Sequence, residues 1–419
     1  VRATILAPGS RGDVQPYLAL GQALRQLGHD CSLVTTEDHE ALVRGYGLGV
    51  EVLPINVAAE LQRVETNRAV EGGGVIASFR QFAAIARRAS RSLVERGLEA
   101  TRGADVLVTN FTTAMVAAGL SKKLGVPVVQ AFNVPLTPTS SFPGALFPGL
   151  DFAGPARRLS HHLTRAALWS TTRASANDVC RELLDAPAMP LLPGAHPGVL
   201  PGRVVYGFSE AFLPRPADWP PEVDVTGFWF VEEPATFTPP PELARFLEEG
   251  EAPVCIGFGS MCTEDPERVT ALVLEAAKAS GRRLVLLSGW AGLKPGQLAR
   301  EVIALPGVAH SWLYPRCRAV VHHGGAGTTA AAVRAGVPAV VVPFHGDQPF
   351  WASRVHQLGL GPRPVPRRQL TAKRLAEAIT AAATSAALQE RAAAVGRVVR
   401  EERGAERAAE AIARAAGQG

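Results

Sequence analysis

Short apolar runs that end in a glycine-bearing loop and then give way to an apolar-periodic helix recur along this chain, and that alternation limits the fold more than any other feature. At the amino terminus, residues 3–7 read as a strand, 8–12 as a loop, 18–27 as a helix closed by Gly28, and 32–35 as a second strand. Such units build parallel sheets, whose strands are covered on both faces and so read as continuous apolar runs. Runs at 105–109 and 126–130 continue the theme, separated by a helical pattern at 115–124. A second series follows, with strands at 254–258, 283–287, 320–321 and 339–342 and helices at 266–279 and 332–335. Between the two series, residues 214–241 hold eight prolines. Proline lacks the amide an interior ladder needs, so this stretch reads as connection and not as sheet.

The expected fold is therefore α/β. Two doubly wound, Rossmann-like domains, 1–213 and 242–395, are joined by a Pro-rich linker, 214–241, and the Ala/Arg/Glu-rich end reads as helical. Two open sheets facing one another offer a ligand the carboxyl ends of both sets of strands, which makes the cleft between them the expected site. The length of 419 residues, at roughly 150 per domain, allows two to three domains. Hydrophobic residues at 47% against 19% charged can fill such cores.

Composition also removes several functions. The net charge is only +5, and pairs such as Arg87-Arg88 and Arg157-Arg158 lack interleaved aromatics, so nucleic acid is not the expected partner. Five cysteines (Cys31, Cys180, Cys255, Cys262 and Cys317) without a C-x-x-C pair fit a reducing compartment and argue against a disulfide framework or zinc ribbon. No apolar run reaches the ~18 to 20 residues that cross a bilayer. The opening residues read as a first strand, not a signal peptide. The expectation is a cytoplasmic protein with no integral membrane segment.

Four strand ends carry chemistry. His322-His323-Gly324-Gly325-Ala326-Gly327-Thr328-Thr329 runs from a strand through glycines into a helix. Glycines let backbone amides approach a ligand, and the helix points its partial positive charge at the same spot, so Gly325, Ala326, Gly327, Thr328 and His323 are candidate diphosphate donors. A tight strand-to-helix turn is the plain alternative. The run is neither a Walker loop nor the dinucleotide G-x-G-x-x-G, which disfavours a dehydrogenase. Gly257-Phe258-Gly259-Ser260 offers Ser260 as a further donor to the same group. In Pro343-Phe344-His345-Gly346-Asp347-Gln348-Pro349, Asp347 reads either as a helix N-cap or, with Gln348, as a pair that accepts from and donates to adjacent sugar hydroxyls. His345 stands beside them as a candidate donor contact. At the other end of the chain, Ser10, Gly12 and Asp13 follow the first strand, where Ser10 and Gly12 are candidate donor contacts. Asp13 there either complements a helix N-terminus or, beside an acceptor hydroxyl, acts as a general base worth roughly 10²–10⁴ in rate.

Ser10-Arg11-Gly12-Asp13-Val14-Gln15-Pro16, Val225-Thr226-Gly227-Phe228-Trp229, Trp312-Leu313, residues 322–329 and residues 343–351 occur in this order. The set resembles glycosyltransferase family 1 enzymes of the GT-B fold, in particular the sterol 3-beta-glucosyltransferase-like branch, with the antibiotic glycosyltransferases of actinomycetes alongside. The resemblance spans nearly the whole chain. It implies that the first domain binds the acceptor and the second a nucleotide-diphosphate sugar, and that the carboxyl-terminal segment, 396–419, crosses back to the first domain. It further implies that Asp13 is the catalytic base, that His323, Gly325 and Thr328 contact the diphosphate, that Ser260 faces the donor, and that Asp347 and Gln348 hold the sugar. Trp312 is a candidate base contact. Ala331 stands where the plant branch carries a ribose-binding Glu, so UDP and dTDP donors both stay open.

The chemistry is coherent on its own terms. Transfer passes through an oxocarbenium-like state, and charge building on the diphosphate needs preorganised amides, a helix N-terminus and an imidazole. The chain has no D-x-D pair to hold a divalent ion, so these donors take its place and no metal or cofactor is expected. On the acceptor side, Phe132, Asn133, Phe142 and Phe147 lie in a long apolar segment that reads equally as a hydrophobic pocket or an ordinary core loop. The segment 160–172, with His161, His162 and Arg165, reads as an amphipathic helix whose polar residues are solvated. The expected function is an inverting, metal-independent transfer of a hexose, from UDP-glucose, to a hydroxyl of a lipophilic sterol-like or polyketide acceptor. Contact with the membrane surface is the expected route to a lipid acceptor. Two alternatives stand beside it: a dTDP-deoxysugar transferase of antibiotic biosynthesis, and a non-catalytic sugar-nucleotide-binding auxiliary protein.

Overall fold

Strand β1 (Arg2–Leu6) is buried at four of its five residues, as a strand covered on both faces must be. The computed structural model describes residues 1–56, 75–148, 153–232, 237–259, 266–287 and 300–417. Within them the chain divides into two units: Val1–Val231 with Glu402–Gly419, and Glu232–Glu401. Four cysteines, Cys31, Cys180, Cys255 and Cys317, are buried free thiols, and Cys262 lies outside the described residues.

Among the described residues the first unit carries a parallel sheet of seven strands: β1, β2 (Asp30–Thr36), β3 (Gly49–Leu53), β4 (Val106–Thr109), β5 (Val128–Phe132), β6 (Val204–Tyr206) and β7 (Val223–Val225). Their order is β3-β2-β1-β4-β5-β6-β7, so the winding reverses between β1 and β4. The second unit carries β8 (Val254–Gly257), β9 (Leu284–Leu287), β10 (Val302–Leu305), β11 (Ala319–His322) and β12 (Ala339–Val341), in the order β10-β9-β8-β11-β12. Here the reversal lies between β8 and β11, whose register pairs His322 with Gly257. Ligands of open α/β sheets bind outside the strand ends at such reversals. In both units the loop that carries the motif residues leaves the sheet there.

Four expectations need correction. The Pro-rich stretch is not all connection, because β7 lies inside it. Its prolines fall outside residues 223–225, and an edge strand that bonds only to β6 tolerates prolines on its flanks. The units accordingly divide at 231/232 and 401/402, not at the expected 213/214, 241/242 and 395/396. Helix α1 (Arg11–Gln26) begins directly after Ser10, seven residues before the expected start, because its apolar periodicity appears only beyond Pro16. Finally, α2 (Gly154–Leu184) buries His161 and Arg165. The Arg165 guanidinium donates to the carbonyls of Gly194 and Gly198, so the polar residues expected in solvent strap a loop to the helix.

Helix α3 (Ala326–Ala335) follows β11 and α4 (Gln348–Gln357) follows β12. Near the end of the chain, α5 (Ala386–Glu401) belongs to the second unit and α6 (Gly404–Ala416) to the first. The core around β1, β4 and α1 includes Ala408, Ala409, Ala411 and Ile412 of α6. Gly404 permits this docking, because a Cβ there would collide with the Phe228 carbonyl.

Candidate active site

Each unit presents one cluster of motif residues, built on a strand-to-helix turn. In the first unit the turn follows β1. Ser10 is the extended N-cap of α1 and Asp13 lies in its first turn. The Asp13 carboxylate reaches back to the cap, where Oδ2 accepts from the Ser10 amide and the Ser10 hydroxyl, both at 2.8 Å. Both hydrogen bonds fall on one oxygen, so Oδ1 has no hydrogen-bond partner among the described residues. Asp13 thus does what a helix-terminal carboxylate does and still keeps one oxygen able to accept a proton. Burial raises its pKa above the ordinary carboxylate value, while the two Ser10 bonds and the nearby His39 pull it back down. Its accessible face remains exposed.

Gly9 is the residue that makes this geometry possible. Its φ of +144° is one that side chains disfavour, and a Cβ there would fall 2.6 Å from Asp13 Oδ2. Gly12 has an open environment, with only the Ser10 hydroxyl near its missing Cβ at 3.8 Å. One turn beyond Asp13, Tyr17 donates to the Ala131 carbonyl at 2.7 Å and meets Trp229 edge-on at 6.0 Å. Trp229 in turn donates to the Thr226 hydroxyl at 2.9 Å. The motif 225–229 therefore supports the helix that carries Asp13.

Phe132 and Phe142 belong to one cluster of rings, joined through Tyr206 and Trp219. Phe132 is buried against Tyr206 and is a core residue, because it is the last inward position of a central strand. Phe142 packs against His161 and Trp219, while Asn133, at the end of β5, and Phe147 are half-buried. Burial holds His161 neutral, with its pKa lowered to about 4.

In the second unit the decisive turn follows β11. Gly325 is the N-cap of α3, and Ala326, Gly327 and Thr328 form its first turn. The first four amides of any helix have no intrahelical acceptor. Here those of residues 325–328 have none elsewhere among the described residues, and no acidic side chain occupies the first turn. Gly327 leaves open space where its Cβ would be. The His323 ring lies over this terminus: a Cβ on Gly325 would fall 2.5 Å from His323 Nε2, and one on Gly259 3.2 Å from Cε1. Burial, with His345 and His310 nearby, lowers the His323 pKa to about 4 and leaves a neutral imidazole. Its Nδ1 is buried without a hydrogen-bond partner among the described residues. His322 turns the other way into the interior, where its Nδ1 accepts from the Gly324 amide at 3.0 Å and holds the turn at φ +92°.

The loop after β12 touches the same turn, since a Cβ on Gly324 would fall 3.2 Å from the Gln348 carbonyl oxygen. Asp347 and Gln348 each make contacts within their own loop and helix. Gln348 is buried, and its side-chain carbonyl accepts from the amides of Phe344 at 2.8 Å and His345 at 3.2 Å. Asp347 is the N-cap residue of α4, but its Oδ2 accepts from Trp351 Nε1 at 2.8 Å and caps no amide. Both shape the loop that exposes His345 and Gly346. Trp312 is half-buried, with the Arg316 guanidinium 4.4 Å above its ring and Phe237 6.3 Å away. Ser260 lies outside the described residues. Sequence reasoning took both imidazoles, His322 and His323, as able to donate to phosphate, and it gave no role to Gly9, His39 or Trp351. Only Gly9 carried a signal, as the glycine ending the first strand's loop.

The amino-terminal stretch 3–129 matches the glycosyltransferase family 28 N-terminal domain, and 296–415 matches the C-terminal domain of erythromycin biosynthesis protein CIII-like proteins. The chain is 34% identical to the sterol 3-beta-glucosyltransferase UGT80A2 of Arabidopsis thaliana over 90% of its own length. It spans 60% of the length of that relative. It is 35% identical to the O-mycaminosyltylonolide 6-deoxyallosyltransferase of Streptomyces fradiae, covering 97% of this chain and 96% of that one. In fold it is similar to the glycosyltransferase VinC, solved in complex with dTDP, with a TM-score of 0.67 over the full length of both chains at 17% identity.

Proposed function

The chain belongs to the GT-B glycosyltransferases, and on that footing we propose that it transfers a hexose, with inversion, from UDP-glucose to a hydroxyl of a lipophilic, sterol-like or polyketide acceptor. The observation that carries this reading is the N-terminus of α3, where four amides with no acceptor among the described residues lie under a buried neutral imidazole. Such a terminus suits the diphosphate of a sugar donor. Asp13 Oδ1 takes the proton of the acceptor hydroxyl, and the freed oxygen attacks the anomeric carbon. The bond from that carbon to the diphosphate breaks, and the electron pair leaves on the diphosphate. The amides of residues 325–328 and His323 stabilise the departing charge, so the reading needs no metal or cofactor. His345, exposed beside the turn, faces the donor in this scheme, and Asp347 with Gln348 hold its loop in shape.

A transfer from a dTDP-deoxysugar is the second reading. It is favoured by the end-to-end match to the Streptomyces fradiae deoxyallosyltransferase, where the plant relative is matched over part of its length. The deciding experiment supplies UDP-glucose, dTDP-glucose and a dTDP-deoxysugar in turn with cholesterol and a macrolide aglycone, in the presence of EDTA, and weighs the products by mass spectrometry. A hexosyl adduct made from UDP-glucose is expected. A deoxyhexosyl adduct alone would favour the second reading, and no adduct from any donor would sink both.

A further inference from the structure

The peptide group between Gly9 and Ser10 is held at both ends. Its N–H donates to Asp13 Oδ2 at 2.8 Å. Its C=O lies 3.1 Å from Nε2 of His39. A carbonyl can only accept, so Nε2 carries the proton and donates. In a planar trans peptide the C=O and N–H point in opposite directions, which puts His39 and Asp13 on opposite sides of one rigid plate. His39 is buried, and Asp38, 4.0 Å from the same nitrogen, is beyond hydrogen-bond range, so the Gly9 carbonyl is what the ring grips.

The need for a grip follows from Gly9. At φ +144° it is the freest residue of the turn, and rotation of the plate behind it would carry the Ser10 amide away from Asp13. The fold brings His39 to this point. Strand β2 is the neighbour of β1, Thr35 donates to the Ala7 carbonyl at 3.0 Å, and the turn after β2, Glu37–His39, ends beside the loop after β1. We propose that His39 is a positioning residue for transfer: it locks the Gly9–Ser10 peptide so that this peptide presents Asp13 in one orientation. This rests on the reading of Asp13 as the base. A chain of two hydrogen bonds through one peptide also polarises both, which strengthens the hold on the carboxylate.

The test compares His39→Phe, which fills the ring's space without a donor, with His39→Gln, whose amide nitrogen can donate in place of Nε2. Two measurements are made: exchange of the Ser10 amide proton in the free protein by NMR, and kcat and KM with UDP-glucose and cholesterol. In His39→Phe the Ser10 amide should exchange about tenfold faster and kcat should fall about 5- to 10-fold, the size of one lost hydrogen bond, with KM for UDP-glucose unchanged. His39→Gln should recover both to within about 2-fold. Wild-type exchange and kcat in His39→Phe would overturn the proposal. So would a loss that His39→Gln fails to recover, or one that appears as a rise in KM. Asp13→Asn, run in parallel, separates the two claims. If it is inactive while His39→Phe is fully active, only the role of His39 falls; if it turns over normally, the base reading falls and takes this inference with it.

Discussion

The turn from β1 into α1 and the turn from β11 into α3 both leave a parallel sheet where its winding reverses, yet their helix termini are satisfied differently. At α1 the chain supplies its own anion: Asp13 folds back onto the Ser10 amide and hydroxyl. At α3 no acidic side chain enters the first turn, and four amides find no acceptor among the described residues beneath a neutral histidine. The same partial positive charge is therefore met by the protein's own carboxylate in one unit, while in the other it is left to the ligand that we propose. A helix terminus reads as an anion site only where the sequence withholds an anion of its own.

Asp13→Asn probes that contrast most severely. The amide can no longer take a proton, so kcat should fall by roughly 10²–10⁴ while donor affinity, measured by calorimetry with UDP, stays within a few-fold. Equal losses in both would mean that the two turns share one role. Next in size is His323→Ala, which removes a donor from α3's terminus and should weaken UDP binding by roughly 10- to 100-fold, as a lost hydrogen bond to a charged group does. An unchanged affinity would detach the second turn from the diphosphate.

Acid should expose the same asymmetry as stability. His322 and His323 are held neutral by burial, with pKa values lowered to about 3 and about 4 from 6.5. Between those values and 6.5 the unfolded chain binds more protons than the folded one. The stability these groups permit is thus complete above pH 6.5 and is lost as pH falls towards 4, by about 2 kcal/mol for each imidazole at pH 5. Asp13 works the other way, since a carboxyl whose pKa is raised in the fold costs stability above its unfolded value and none at low pH. A melting curve of His323→Asn that kept the full wild-type acid sensitivity would count against the buried neutral ring. UDP should lessen the acid loss, because a bound anion favours the imidazolium. The smallest effect belongs to Ser10→Ala, which removes one of two bonds to Asp13 Oδ2 and should lower kcat about 5-fold with donor affinity intact.

The parts of the fold that could be read from sequence are those where one local rule decides. Strands β1, β8 and β11 announce themselves as apolar runs stopped by glycine, and the start of α3 is set by the glycines before it. The rest depended on contacts distant in sequence. The edge strand β7 forms because β6 is there to receive Val223 and Val225, which no count of prolines reveals. Asp347 and Gln348 read from sequence as a pair for hydroxyls, whereas the bonds they make to Trp351 one turn later and to the amides of Phe344 and His345 are visible only in the fold. His39 sits in no motif and acquires meaning only because β2 lies beside β1. Phe132 had the right type for a pocket and the wrong place, the end of a central strand.

Helix α6 carries one more implication. Ala408, Ala409, Ala411 and Ile412 fill a core whose walls include β1, β4 and α1, some three hundred residues or more earlier in the chain. During synthesis, the first unit cannot close until residues 404–416 have left the ribosome, by which time all the described strands of the second unit have been made. The nascent chain must keep the apolar groove meant for these alanines from sticking elsewhere throughout that interval.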